Sequence, residues 1–497
     1  MKKNILLIIS CLIFLSSCDF LEVKSEDKLP GDEFWIKGND ANAEGFLMSV
    51  YFNFRKATMG SGLFLTASGD MRCAPIIPFN GSGQDKKVDF LVANKMNDLR
   101  TYSYSPFGET TKWKPFYDVI QSANILINEI DKVPDISEDK RLMFKAEAVF
   151  MRNISYFFLV RAFGDVPYYT KAYNSASLPR MDMVTVLLNC LEDLKTGALN
   201  SDLLPWTYSS NAKKGVRASR GSVLALMMHI NLWLVQFDDK NKNTYYQNVV
   251  ALGEQLESNG GAYELVEMSR ISTVFTGGSN EGLFEIAQNI NSSGEVFSKL
   301  AVFSNNVAYS HTNEKKTVYY YDSNYMEKIF PYSEIDLRKQ YWFDENMYIA
   351  STLTPTEIKK FLNVDYYSDS ERTSNSGNQM VFRYSDALLL YAEALAALGN
   401  DGPAYELLKR VRDRAGASTN SLSGKDLQDA IFWERQRELI GEGHYYYDLV
   451  RTGKISNYMY CEHPIRRTEF NVGAWTWPIH RDALSNNTNI QLNLYWE

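Results

Sequence analysis

Residues 380–417 read MVFRYSDALLLYAEALAALGNDGPAYELLKRVRDRAGA, and residues 432–454 read FWERQRELIGEGHYYYDLVRTGK. In the first stretch Tyr384, Leu388, Tyr391, Leu395 and Leu398 recur at steps of three and four, which places them on one face of a helix. Gly399-Asn400-Asp401-Gly402 breaks that helix, and Pro403 suits the first turn of another. The second helix turns Ala404, Leu407, Leu408 and Val411 inward and Lys409, Arg410 and Arg412 outward, and it stops at Gly416. Small Ala392 and Ala404 stand beside large Leu388, Tyr391, Leu395 and Leu408. That alternation fits a tetratricopeptide-type helix pair, in which two helices cross closely over small residues. The spacing predicts a mainly α fold of tetratricopeptide-like helix pairs, packed against an irregular loop-rich half with a few short strands.

Working outward, the same periodicity predicts helices over residues 39–54, 113–133, 137–163, 183–194, 219–235 and 245–257. Between Arg55 and Pro106 it fails. Gly60, Gly62, Gly69, Pro75, Pro78, Gly81 and Gly83 punctuate that segment, and long non-repetitive loops in a compact chain tend to carry function. It fails again over residues 260–379, where Gly, Ser, Asn and Tyr dominate. Residues 455–497 read as mostly irregular.

The segments RYSDALLLYAEALAALGN, AYELLKRVRDRAG, ERQRELIGEGHYYYDLVRTGK and the late Trp477-Pro478-Ile479-His480 resemble the SusD/RagB family of nutrient-binding outer-membrane lipoproteins. KAEAVFMRNISYFFLVRAFGDVPYY at 145–169 and GVRASRGSVLALMMHINLW at 215–233 resemble two further stretches of that family. The resemblance implies a surface protein that binds an oligosaccharide. It would hand this ligand to a partner SusC-like TonB-dependent outer-membrane transporter, capping the barrel as a lid rather than cleaving bonds.

The N-terminus agrees with export. Lys2 and Lys3 precede an apolar run from Ile5 to Leu15, far short of the roughly 20 residues a membrane span needs. Residues 1–17 read as a signal peptide. Leu15-Ser16-Ser17-Cys18 looks like a lipobox, making Cys18 the acylated lipid anchor at the outer membrane, followed by a tether over 18–38. Residues 39–497 then form one domain: a helical part to 259, an irregular ligand-region part over 260–379, and a C-terminal hairpin and tail from 380. Losing Lys2 and Lys3 takes the net charge from −8 to −10, an acidic balance that argues against nucleic acid. After Cys11 leaves and Cys18 takes lipid, Cys73, Cys190 and Cys461 remain, without CxxC spacing. At most one disulfide can form among them.

Candidate chemistry is sparse. His229, His311, His444, His463 and His480 show no HExxH or HxH pattern, so no metal or cofactor is expected. There is no GxSxG elbow. Gly81-Ser82-Gly83-Gln84-Asp85-Lys86 lacks the GK[ST] ending of a phosphate cradle. Glu434, Arg435, Arg437, Glu438, Glu442, His444 and Asp448 are crowded enough to suggest an active site. However, Glu434 and Glu438 lie one helical turn apart, as a buried ion network locking neighbouring helices would place them.

The positive signal is aromatic: 31 Tyr and 9 Trp, with a cluster over 303–342. A flat ring meets the C–H face of a sugar while Asp, Asn, Arg or Gln grip its hydroxyls. The resemblance implies that the platform comes from the loops near 67–100 and 303–342. The expected ligand contacts are Arg72, Phe79 and Asn97 from the first, and Tyr309, Tyr320 and Trp342 from the second. Two other readings stay open: a peptide- or glycopeptide-binding relative, and a surface glycan-degrading enzyme, since paired carboxylates are recognised only by their separation in space.

Overall fold

A computed structural model describes residues 31–60, 64–78, 86–101, 106–199, 203–288, 319–343, 347–348, 358–361, 363–367, 370–374 and 377–497. The signal segment, Cys18 and the chain to residue 30 lie outside the described residues, as do Phe79 and Tyr309. The last part of the segment expected as a tether over 18–38 contains a helix. Gly31–Ile36 (α1) is helical, and its Trp35 is buried 4.9 Å from the Phe46 ring. An indole in that position gains more from leaving water than a free tether gains in entropy.

The helical body is an array: Asp40–Met59 (α2), Lys114–Glu129 (α3), Glu138–Phe163 (α4), Met183–Gly197 (α5), Arg220–Phe237 (α6), Lys242–Glu257 (α7), Tyr384–Ala397 (α8), Asp401–Arg414 (α9) and Gly424–Glu438 (α10). Each packs on the next in the chain. Their ends follow from sequence. Asn39 and Ser219 close capping boxes with Asn42 and Ser222, and Ser137 and Asp182 accept first-turn N–H groups. Gly416, at φ +62°, supplies the left-handed turn that ends α9.

The α8–α9 hairpin forms as its spacing predicts, with Ala392 and Ala404 fully buried at the crossing. Arg412 differs from expectation. It points inward, where Glu434 accepts from its Nη1 at 2.9 Å.

Gly282–Ile286 (β2) pairs antiparallel with Gln379–Arg383 (β6), and β6 leads the chain into α8. Asn363–Tyr367 (β4) and Ser370–Ser374 (β5) form a separate hairpin. The loop region after α2 is more helical than its punctuation implies. Lys86–Val92 and Met96–Thr101 are short helices that bury Val88, Leu91, Met96 and Leu99. Asn94 interrupts them with a φ of +53°. Buried residues from Trp35 to Trp496 form one hydrophobic cluster. Among the described residues no helix is long and apolar enough to cross a membrane.

Candidate ligand-binding face

The two loop regions that the sequence singles out meet. Ile76–Pro78 (β1) pairs antiparallel with Tyr319–Tyr321 (β3), Ile76 opposite Tyr321 and Pro78 opposite Tyr319. The Asp322 N–H donates to the Pro75 carbonyl at 2.9 Å. The first region is also seated on the helical frame. A Cβ at Gly69 would fall on the Gly443 backbone, so only glycine permits this approach. There the Asp70 carboxyl accepts from the Gly443 N–H at 2.7 Å, and the Tyr445 hydroxyl donates to the Cys73 carbonyl at 3.2 Å.

A cleft of about 270 Å³ lies between Asn94 of the first region and the C-terminal tail, lined by Asn94, Tyr458, Glu462, His463, Glu469 and Tyr495, among others. Tyr458 is 81% exposed. The Asn94 side chain accepts from Arg72 Nε at 2.9 Å, and its amide nitrogen makes no hydrogen bond within the described residues. Neither Asn94 nor Tyr458 was predicted. The turn residue between two short apolar runs was a usable signal for Asn94; nothing local marked Tyr458.

Three predicted contacts lie in the interior instead. Arg72 is fully buried. Its Nη1 donates to the carbonyls of Trp475 (2.8 Å) and Thr476 (3.0 Å), and its Nη2 to that of Ala474 (2.6 Å). The guanidinium carbon sits 4.5 Å over the Tyr446 ring. Arg72 therefore clamps the C-terminal tail and presents Asn94 from behind. Trp342 is also fully buried, with the Lys360 ammonium 4.2 Å over its ring. Tyr320 is 2% exposed, although it alternates along β3 with Tyr321 of the hydrophobic cluster and so lies on the opposite face of the strand. Asn97 is exposed, as a contact requires.

An Arg72→Ala protein is expected to lose about 2–3 kcal/mol of stability in urea denaturation, since buried carbonyls are left without donors. A change in ligand affinity with an unmoved midpoint would return Arg72 to the contact role.

The crowded ERQREL segment is an ion network. Glu438 lies between Arg338 (2.8 Å), Arg383 (2.6 Å) and Arg414. Glu434 accepts from Arg338 (2.6 Å), Arg412 (2.9 Å) and Arg437 (2.9 Å), and Glu442 from Arg383 (2.7 Å) and Lys360 (2.6 Å). Against the cost of burial, the facing guanidiniums hold Glu434 down to about 2. Burial brings Lys360 down to about 8. Every carboxylate oxygen here faces a cation, which leaves none to take up a substrate proton.

The fold also brings together a trio that no spacing revealed: His229, Asp386 and His444, all buried. Asp386 spends one oxygen on His229 Nε2 (2.8 Å) and the other on Arg435 Nη1 (2.7 Å). The imidazoles lie stacked with centroids 5.4 Å apart, and His444 Nε2 faces the Val381 carbonyl at 3.2 Å. Burial lowers both histidines, His444 to about 4. A guanidinium at the carboxylate and imidazoles engaged elsewhere fit a satisfied polar cluster better than a metal centre.

A solved SusD homologue from Bacteroides thetaiotaomicron is 59% identical to this chain. It aligns over 93% of this chain and 100% of its own, with a TM-score of 0.87. The chain belongs to the SusD family. The SusD family model matches residues 301–496, and a model described as "Starch-binding associating with outer membrane" matches residues 19–232. A SusD-like protein of Formosa agariphila is 25% identical over 99% of both chains. A laminarin-binding SusD-like protein shares the fold at 24% identity and a TM-score of 0.70, over 92% of this chain and 99% of its own.

In this SusD-family chain, the motifs that carried the resemblance are the ones that hold the buried ions. Glu147 of the 145–169 stretch accepts from Arg217 of the 215–233 stretch at 2.5 and 2.6 Å. Arg383 and Glu438 join the two C-terminal stretches. What carried the resemblance in this sequence is thus the frame.

Proposed function

We propose that this protein is a lipoprotein anchored through Cys18 on the outer face of the outer membrane. There it binds an oligosaccharide without cleaving it and delivers the ligand to a partner SusC-like TonB-dependent transporter as the lid of that barrel. The observation that carries the reading is the β1–β3 pairing. It gathers two loop regions, remote in sequence, into one face on a rigid helical frame. Family membership, the outer-membrane description of the N-terminal family model and a laminarin-binding structural neighbour support it. Phe79, Asn97 and Tyr309 remain proposed ligand contacts, joined by Asn94 and Tyr458, with Arg72, Tyr320 and Trp342 as support behind them. Closure of lid on barrel, rather than bond chemistry, would then be the working step.

Calorimetric titration with a panel of glycans and peptides, run beside a reducing-end assay, tests this. Micromolar-to-millimolar binding of one glycan class without release of reducing ends is expected. Cleavage would overturn the reading, and binding of peptides alone would move it to the peptide-binding alternative. A membrane pull-down that recovers no barrel would remove the lid. With the bound glycan in hand, Tyr458→Ala is expected to weaken affinity about tenfold with an unchanged melting temperature, because a sugar–aromatic contact at an exposed ring supports binding and not folding.

A further inference from the structure

A second, larger hollow of about 740 Å³ is walled by the end of α6, the turn after α4, and the C-terminal tail. That volume is within the range of roughly 300–1,000 Å³ typical of small-ligand sites. Its apolar side is Phe237, half-buried, with its ring stacked on Phe470 (centroids 6.1 Å, planes 9° apart) and 5.0 Å from Trp475. Its polar side is built of neutral amides. The side chains of Gln236, Asn471 and Gln491 make no hydrogen bond within the described residues.

The wall itself is already fixed. Arg180 donates to the carbonyls of Asp165 (2.7 Å), Gln491 (2.7 Å) and Phe163 (2.9 Å) and to Asn493 Oδ1 (2.6 Å). Asn493 in turn donates to Thr476 Oγ1 at 2.8 Å.

We propose that this hollow is a second carbohydrate site, distinct from the loop face, that takes a neutral oligosaccharide. The proposal rests on the glycan reading above. Each free amide offers a donor and an acceptor together, which is what a sugar hydroxyl presents in return. The half-buried Phe237, backed by buried Phe470 and Trp475, offers the apolar patch that the C–H face of a pyranose needs. The charged groups of the wall are engaged: Arg180 by four acceptors, and Asp165 by the Met183 N–H at 3.0 Å. Arg467 at the rim lies 5.4 Å over Phe470. An extended peptide fits less well, because the tail offers it no continuous strand edge. The Gln491 carbonyl is taken by Arg180, and that of Val472 by the Tyr495 N–H at 3.0 Å. A wall ordered before binding spares the ligand the cost of ordering it.

The test uses the full chain purified in detergent, titrated with and crystallised in the presence of laminarihexaose, cellohexaose and maltohexaose. The variants are Gln236→Ala/Asn471→Ala/Gln491→Ala together and, separately, Tyr458→Ala. The expected result is two sites for at least one hexaose, with density in the hollow. The triple variant then weakens one site about tenfold with an unchanged melting temperature, and Tyr458→Ala weakens only the other. A single site untouched by the triple variant overturns the second site and leaves the glycan reading standing. No binding of any hexaose overturns both.

Discussion

Replacing Glu438 by alanine is expected to cost the folded protein about 3–5 kcal/mol, the loss typical when one partner of a buried ion pair is removed. The carboxylate is fully buried and serves three guanidiniums, those of Arg338, Arg383 and Arg414. Its removal leaves positive charge in the interior with fewer counter-ions. Those arginines come from the segment before the β4–β5 hairpin, from the last residue of β6 and from the end of α9, so one substitution loosens three elements at once. Urea denaturation at neutral pH measures the effect. As a control, Glu138→Ala removes an exposed partner of Arg141 and is expected to cost under about 1 kcal/mol. If both variants unfolded at the same urea concentration, the network would not be what fastens the irregular half to the helical half.

The second large effect depends on pH. Burial, helped by nearby Glu442, pushes the Asp70 carboxyl up to about 8, against about 3.9 in an unfolded chain. The folded protein therefore holds a proton that the unfolded chain releases from about pH 4 upward. Stability from this group is complete below about pH 4 and is lost as pH rises towards 8. Asp70→Asn keeps an oxygen for the Gly443 N–H and never ionises. It is expected to match the wild type near pH 4 and to exceed it by on the order of 5 kcal/mol at pH 8. Comparing the two proteins cancels other titrating groups, including Glu285, which burial raises to about 7, and the lowered histidines. A gap that stays flat from pH 4 to pH 8 would mean that Asp70 is ionised in the fold.

The helical half was legible because its signal is local. The α8–α9 hairpin could be read from apolar spacing, a Gly-rich break and small residues at the crossing. Each of these acts within a few residues of itself. The ion network was half legible: Glu434 and Glu438 announced a pair one turn apart, but Arg338 and Arg383 could not be paired with them from spacing. The candidate site was legible as two regions and not as residues. Arg72 looked like a rim residue because arginine usually is one. Its inward course is set by three carbonyls some 400 residues along the chain. Trp342 and Tyr320 looked like platform rings, and both are buried, Trp342 beneath a buried lysine. Whether a ring faces sugar or core depends on contacts that no short window contains.

The burial of Trp35 has a mechanical consequence. If Cys18 carries the lipid, the segment between the anchor and the first helix ends at Gly31, where α1 begins. Thirteen residues, drawn out fully, reach at most about 45 Å. The far end of that segment is fastened into the hydrophobic cluster through Trp35 and Phe46. With Cys18 as the anchor, the folded body could stand no further than that reach from the membrane surface.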